Sequence, residues 1–237
     1  MNKKTGNICV LLFVVVALTA CSTSLSVRTQ KQIDVEANTE KSESIVKIIE
    51  PYKTELAKKM DVQIAISEAN YVVERPSSNL MNWMADAVFT NQTKNIKLSY
   101  PVFCLLNTGG IRSSLGIGPV SLGDLYKLMP FDNSIVWVKL PLSELSAIES
   151  YIAESGGEPI SNIYIKNNRI EFNNFDRSKS SEFWVITSDY LLAGGDRMDF
   201  LQKGTEIIQT NILIRDALIE EAKIQGTLIN DNQNRIE

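Results

Sequence analysis

From Asn107 to Leu140 the chain reads NTGGIRSSLGIGPVSLGDLYKLMPFDNSIVWVKL, which sets a Gly-Gly pair, an arginine, a second glycine-rich turn and a Pro-Phe-Asp-Asn turn between apolar runs. Two other segments share this character, ERPSSN at Glu74–Asn79 and SDYLLAGGD at Ser188–Asp196. Paired glycines let backbone amides approach a ligand closely, and function concentrates on loops held by rigid elements. The side chains beside the glycines narrow the chemistry. Arg75 and Arg112 carry planar guanidinium forks suited to a phosphate. Phe131 and Tyr190 sit in turns next to Pro or Asp, an odd place for core aromatics. Two such faces can hold a base by stacking, worth roughly 1–3 kcal/mol per base in single-strand binders. Asp196 is placed to accept hydrogen bonds from a ribose diol. The plainer reading stands beside this one: both rings plug the core and Asp196 merely closes a turn.

What the sequence lacks is as informative. The 237 residues include no histidine, so Ser113 and Ser114 have no imidazole base for a serine mechanism. Asp124, Asp132, Asp196 and Asp199 lie in or near the loops, and carboxylates with a substrate phosphate can hold Mg²⁺. Asp124, however, reads as a first-turn helix residue and Asp132 as a turn residue, which argues against an independent hydrolytic metal site. A net charge of -4 argues against a nucleic-acid-coating protein, so a bound anion must be met by a local cluster.

These loops need rigid elements behind them. SESIVKIIEPYKTELAKKMD has helical spacing of Ile45, Ile48, Ile49, Tyr52 and Leu56, with Pro51 predicted to kink or interrupt it. VQIAISEA alternates like a strand. SSNLMNWMADAVFTNQ is the clearest helix, with Leu80, Trp83, Met84, Ala87 and Val88 on one face and serines placed to cap it. YPVFCLLN reads as a central strand entering the Gly-Gly loop, and SIVWVKL as another strand. PLSELSAIESYIAES is predicted to be a helix with proline in its first turn, and NIYIKNNRIEF two strands about an Asn-Asn turn. SEFWVITSDYLLAGGD is a strand running into a glycine turn, and NILIRDALIEEAKIQG a terminal amphipathic helix ending at Gly226. The interleaving without strict alternation predicts a single α+β domain, a mixed β-sheet packed with helices.

The start of the chain reads MNKKTGNICVLLFVVVALTACSTS: two lysines, a short apolar run, then Leu-Thr-Ala-Cys. This has the charge pattern of a signal peptide, and the ending resembles the bacterial lipobox in which Cys21 is acylated. The expected organisation is a lipoprotein signal peptide at 1–20, a flexible tether at 21–40, a domain at 41–230 and a tail at 231–237. In a Gram-negative cell, Ser22 after the cysteine favours sorting to the outer membrane by the same resemblance. Cys104 is then the single thiol of the folded part, expected to be buried and inert, and stability must come from core packing rather than a disulfide.

The ordered motifs resemble the C-terminal, substrate-binding domain of the 5'-nucleotidase and UDP-sugar hydrolase family. Its pattern runs Asn-x-Gly-Gly-Ile-Arg, then Gly-x-Ile/Val-Ser/Thr-x-x-Asp-Leu/Val, then Pro-Phe-x-Asn. SNLMNWMADAV and TSDYLLAGGDRMDFL match two further stretches, so the resemblance covers roughly residues 40–225. It implies that Arg112 meets the phosphate, that Phe131 and Tyr190 sandwich the base, that Asn133 touches the base and that Asp196 holds the ribose. Gly156 in ESGGEP corresponds to a ribose-contacting glycine. The family has two arginines before its first helix, whereas this chain has only Arg75, one residue nearer Asn79 than the pattern places it.

Full-length members hydrolyse phosphate esters with a separate dimetal domain rich in histidine. The resemblance therefore implies a recognition module for a nucleoside monophosphate or nucleoside in nucleotide catabolism. It implies no cofactor in this chain, and divalent metals only in a partner metallophosphatase polypeptide. The family's activity is phosphoric monoester hydrolysis, and the sequence leaves open whether this chain has any of its own. A non-catalytic surface lipoprotein that keeps the fold as a scaffold or partner-binding protein is the alternative, and it predicts an exposed apolar patch.

Overall fold

The computed structural model describes residues 42–173 and 175–237, and residues 48–237 form one compact unit. The expected signal peptide, lipidated Cys21 and tether lie outside the described residues.

The framework is a five-stranded mixed sheet in the order β5-β2-β8-β4-β9. These strands are β5 (Ile160–Ser161), β2 (Val102–Leu105), β8 (Glu182–Ser188), β4 (Ser134–Pro141) and β9 (Glu206–Leu213). β2 and β8 run parallel, while β5, β4 and β9 pair antiparallel to their neighbours. All four residues of β2 are buried, because both faces of the sheet are covered. Val102 and Cys104 point to one apolar cluster with Ile135 and Ile186, whereas Phe103 and Leu105 point to the other with Val136, Val138 and Val185.

The first cluster is closed by α2 (Asn79–Thr93) and α6 (Ile214–Gln225), counting α1 as the helix at Glu43–Met60. Leu80, Trp83, Met84, Ala87 and Val88 are all buried, as their spacing predicts, and Ser78 caps α2 by accepting the Met81 amide. Trp83 donates to Gln225 of α6 at 3.0 Å, so the two helices are joined by a polar contact as well as by packing. The second cluster is closed by α4 (Leu145–Ser155) and the hairpin of β6 (Ile163–Lys166) and β7 (Arg169–Phe172). Asn167 and Asn168 make the hairpin turn with φ of 51° and 59°, the left-handed region that asparagine tolerates. A two-stranded sheet of β1 (Gln63–Ser67) and β3 (Gly118–Ser121) leads into α3 (Leu122–Leu128). There Ser121 and Asp124 form a reciprocal capping box, so Asp124 serves the helix start.

Four expectations are corrected. Pro51 lies inside α1 without ending it, on a helix with no buried residue, where the backbone group proline leaves unpaired is open to solvent. Pro141 closes β4 rather than opening a helix, and a 3₁₀ turn, Leu142–Glu144, intervenes before α4. Asn211–Leu213 belong to β9, and the terminal helix begins at Ile214: pairing with β4 overrides the helical reading of a segment whose side chains are mostly exposed. The residues read as a tail at 231–237 are bound into the fold. Arg235 donates to both carboxylate oxygens of Asp86 at 2.7 and 2.6 Å, and the Glu237 amide bonds the Ile165 carbonyl at 2.8 Å.

Candidate functional site

Sheet topology gathers the conspicuous loops. Because β2 and β8 are parallel neighbours, the loops that leave them open side by side; β4 runs antiparallel to β8, so the turn that enters β4 opens at the same end. The loops are those of Asn107–Arg112, Asp189–Asp196 and Pro130–Asn133. Together they form a cleft of about 370 Å³, lined by Asn107, the paired glycines, Arg112, Phe131, Asn133, Tyr190 and Asp196.

The two rings are not core plugs. Phe131 is 40% exposed and Tyr190 45%, although larger aromatics such as Trp83 are buried. Phe131 is presented by a turn anchored from beneath: Arg215, itself buried, donates to the Phe131 carbonyl at 3.4 Å and to Asp132 Oδ1 at 2.5 Å, and lies over the Tyr126 ring at 4.3 Å. Asn133 is fixed through its carbonyl, which accepts the Ile214 amide at 2.9 Å. Tyr190 sits in α5 (Asp189–Leu192), whose start is capped by Ser188. A side chain at Gly195 would bring its Cβ within 2.4 Å of the Tyr190 ring, so glycine there leaves room for the ring beside the turn.

Asp196 adopts φ 51°, ψ 23°, a left-handed conformation that aspartate accepts more readily than most residues. Its carboxylate takes Asn107 Nδ2 at 2.6 Å and the Tyr190 hydroxyl at 3.0 Å. The latter bond holds the Tyr190 hydroxyl above its usual pKa. Arg112 is exposed, with its guanidinium carbon 6.0 Å from the Phe131 ring centre and a long 3.4 Å bond to the Gly109 carbonyl. Such a cleft offers flat apolar faces to a planar ring, a carboxylate to a diol and a guanidinium to an anion. Among the described residues no group of three His, Cys, Asp or Glu side chains is placed to hold a metal ion.

Arg75 and Gly156 are brought together, but beside the cleft rather than in its lining: a Cβ on Gly156 would lie 3.7 Å from Arg75 Cδ. Arg75 donates to Thr108 Oγ1 at 2.5 Å and pairs with Glu158 at 3.3 Å, while the other Glu158 oxygen accepts the Thr108 amide at 2.6 Å. The sequence reading missed Glu158 and Asn107. Asn107 opens the NTGGIR stretch itself, and Glu158 stood out only as a charge between Gly-Gly and Pro.

Glu158 is 4% exposed, and burial raises its pKa above the ordinary 4.5 even though the Thr108 amide and Arg75 pull it down. Its native carboxyl thus binds a proton more tightly than the unfolded one. The stability it contributes is fully present below about pH 4.5 and is lost as pH rises through the raised value. Glu158→Gln, which stays neutral, is therefore expected to melt at a temperature that gains on the unmodified protein between pH 4 and pH 7. Thermal melts across that range check this, and a constant difference between the two proteins would contradict it.

Fold and cleft define an α+β domain with a loop-lined cleft at one end of a mixed sheet. Residues 57–203 match the model of the 5'-nucleotidase C-terminal domain, more than half of the chain, and the protein belongs to that family. An uncharacterized protein of Saccharomyces cerevisiae is 29% identical over 125 residues, 50% of this chain and 20% of its own length. The 5'-nucleotidase precursor of Thermus thermophilus superposes with a TM-score of 0.65 at 20% identity, covering 81% of this chain and 42% of that one. The NAD nucleotidase of Haemophilus influenzae superposes with a TM-score of 0.57 at 14% identity, covering 82% of this chain and 41% of that one. At these identities the structures speak for the fold. The chain spans less than half the length of these relatives.

Proposed function

We propose that this protein is the nucleotide- or nucleoside-recognition module of a 5'-nucleotidase-type phosphohydrolase system, with hydrolysis carried out by a separate metallophosphatase polypeptide. The observation that carries the reading is the pair of exposed rings, Phe131 and Tyr190, lining one cleft with Arg112, Asn133 and Asp196. In it the rings take the base, Asn133 meets the base edge, Asp196 accepts from the ribose and Arg112 faces the phosphate. The protein is lipidated at Cys21, exported and held at the outer membrane by that lipid, with its metals residing in the partner.

Calorimetric titration of the purified chain with adenosine monophosphate and then with adenosine tests this reading. Saturable binding of both is expected. No heat with either ligand, from a sample whose circular dichroism shows a folded domain, would overturn it.

A second reading, a partner-binding role, has one observation in its favour. Trp137, Trp184, Tyr100 and Ile208 line an apolar groove of about 370 Å³, beside the edge strand β9 with exposed Ile207 and Ile212. Exposed apolar surface of this kind marks interaction sites. The groove is formed by residues other than those of the cleft, so the two roles are compatible.

A further inference from the structure

Among the cleft-lining residues Arg112 is the one cation and Asp196 the one anion. Arg75 lies beside the cleft, bonded to Thr108 next to the lining Gly109, and it is already engaged by the Thr108 hydroxyl and by Glu158. Glu158 cannot easily turn away, because it is almost wholly buried and its second oxygen holds the Thr108 amide at 2.6 Å. Arg197 follows Asp196 in the turn and, like Arg75, stands outside the lining. In formal charge the lining Arg112 is matched by Asp196, and Arg75 is matched by Glu158 through a direct ion pair, which leaves Arg197 as a further cation outside the lining. A phosphate dianion gains from an arginine only as much as the neighbouring carboxylates leave unopposed.

Resting on the reading of the cleft as a nucleoside site, we infer that Glu158 neutralises Arg75, so that the cleft discriminates little for the phosphate and takes the unphosphorylated nucleoside about as well as its monophosphate. Glu158 is then a specificity-determining residue that acts through Arg75 without touching the ligand. The site is suited to retain the product of phosphate-ester hydrolysis as readily as the substrate. The reaction class that consumes such a product is one acting on a free nucleoside.

The experiment is the ratio of affinities for adenosine monophosphate and adenosine, measured by calorimetry on the full chain and on Glu158→Gln. Glutamine keeps an acceptor for the Thr108 amide and removes the charge. The ratio, unlike either affinity alone, does not move with a general loosening of the fold. The native protein is expected to favour the monophosphate by no more than about threefold, and Glu158→Gln to raise that preference by about tenfold. Adding Arg75→Met to Glu158→Gln is expected to return the ratio to its native value. A native preference of about tenfold or more, or a ratio that Glu158→Gln leaves unmoved, would overturn the inference while the nucleoside-site reading stands. Failure of both ligands to bind the folded native chain would overturn that reading, and the inference with it.

Discussion

Phe131→Ala is expected to weaken adenosine and adenosine monophosphate together, by about tenfold or more, with little change in melting temperature. The parallel loss follows from what the ring can do. It is 40% exposed, so its removal leaves no buried cavity, and its contribution is a flat face that either ligand's base uses equally. The turn that carries it is held by Arg215 through the Phe131 carbonyl and Asp132, contacts that alanine at 131 retains. Gly195→Ala is expected to act on the opposite wall, since its Cβ would meet the Tyr190 ring at 2.4 Å and push it out of place. Tyr190→Phe should cost less than either, because it keeps the face and gives up only the 3.0 Å bond to Asp196. Calorimetry with both ligands on the three variants checks this order. If Phe131→Ala lowered the monophosphate affinity alone, the ring would be serving Arg112, whose guanidinium lies 6.0 Å from it, and not the base.

The sequence made most of this cleft legible, because the informative residues sit in short loops whose chemistry is local. Gly-Gly, Pro-Phe-Asp-Asn and Gly-Gly-Asp each announce a turn, and an aromatic or an arginine in a turn has nothing to bury against within its own element. The helix face of α2 and the first-turn place of Asp124 were readable for the same reason: their partners lie three or four residues away. The contacts that the sequence concealed join distant segments. Asn107 and Asp196 are 89 residues apart, Arg75 and Glu158 are 83 apart, and Arg235 and Asp86 are 149 apart. No periodicity reports such pairs. The edge strand β9 was concealed by a different cause. Its apolar residues Ile207 and Ile208 are adjacent and both exposed, so the alternation that marks a half-buried strand is absent.

Among the described glycines, Gly157 is where an added Cβ would come closest to another atom, and a substitution there carries a large expected stability effect. Gly157 has φ of +115°, where side-chain-bearing residues are strained, and a Cβ there would lie 2.1 Å from the Pro76 carbonyl oxygen. That oxygen is backbone and cannot rotate away as a flexible side chain would. Relief requires the 156–158 segment to part from the segment containing Arg75 and Pro76. The parting would also draw Glu158 from the Thr108 amide and from Arg75, so one added methyl group opposes several contacts at once. Gly157→Ala is expected to cost about 3 kcal/mol or more, and to lower the melting temperature by about 10 °C for a domain of this size. Gly116→Ala is the control, since a Cβ at Gly116 meets nothing within 4 Å, and it should leave the melting temperature unchanged. Equal melting temperatures for the two variants would mean that the 156–158 segment yields without resistance, and that Glu158 is held by its own hydrogen bonds rather than by the backbone beneath it.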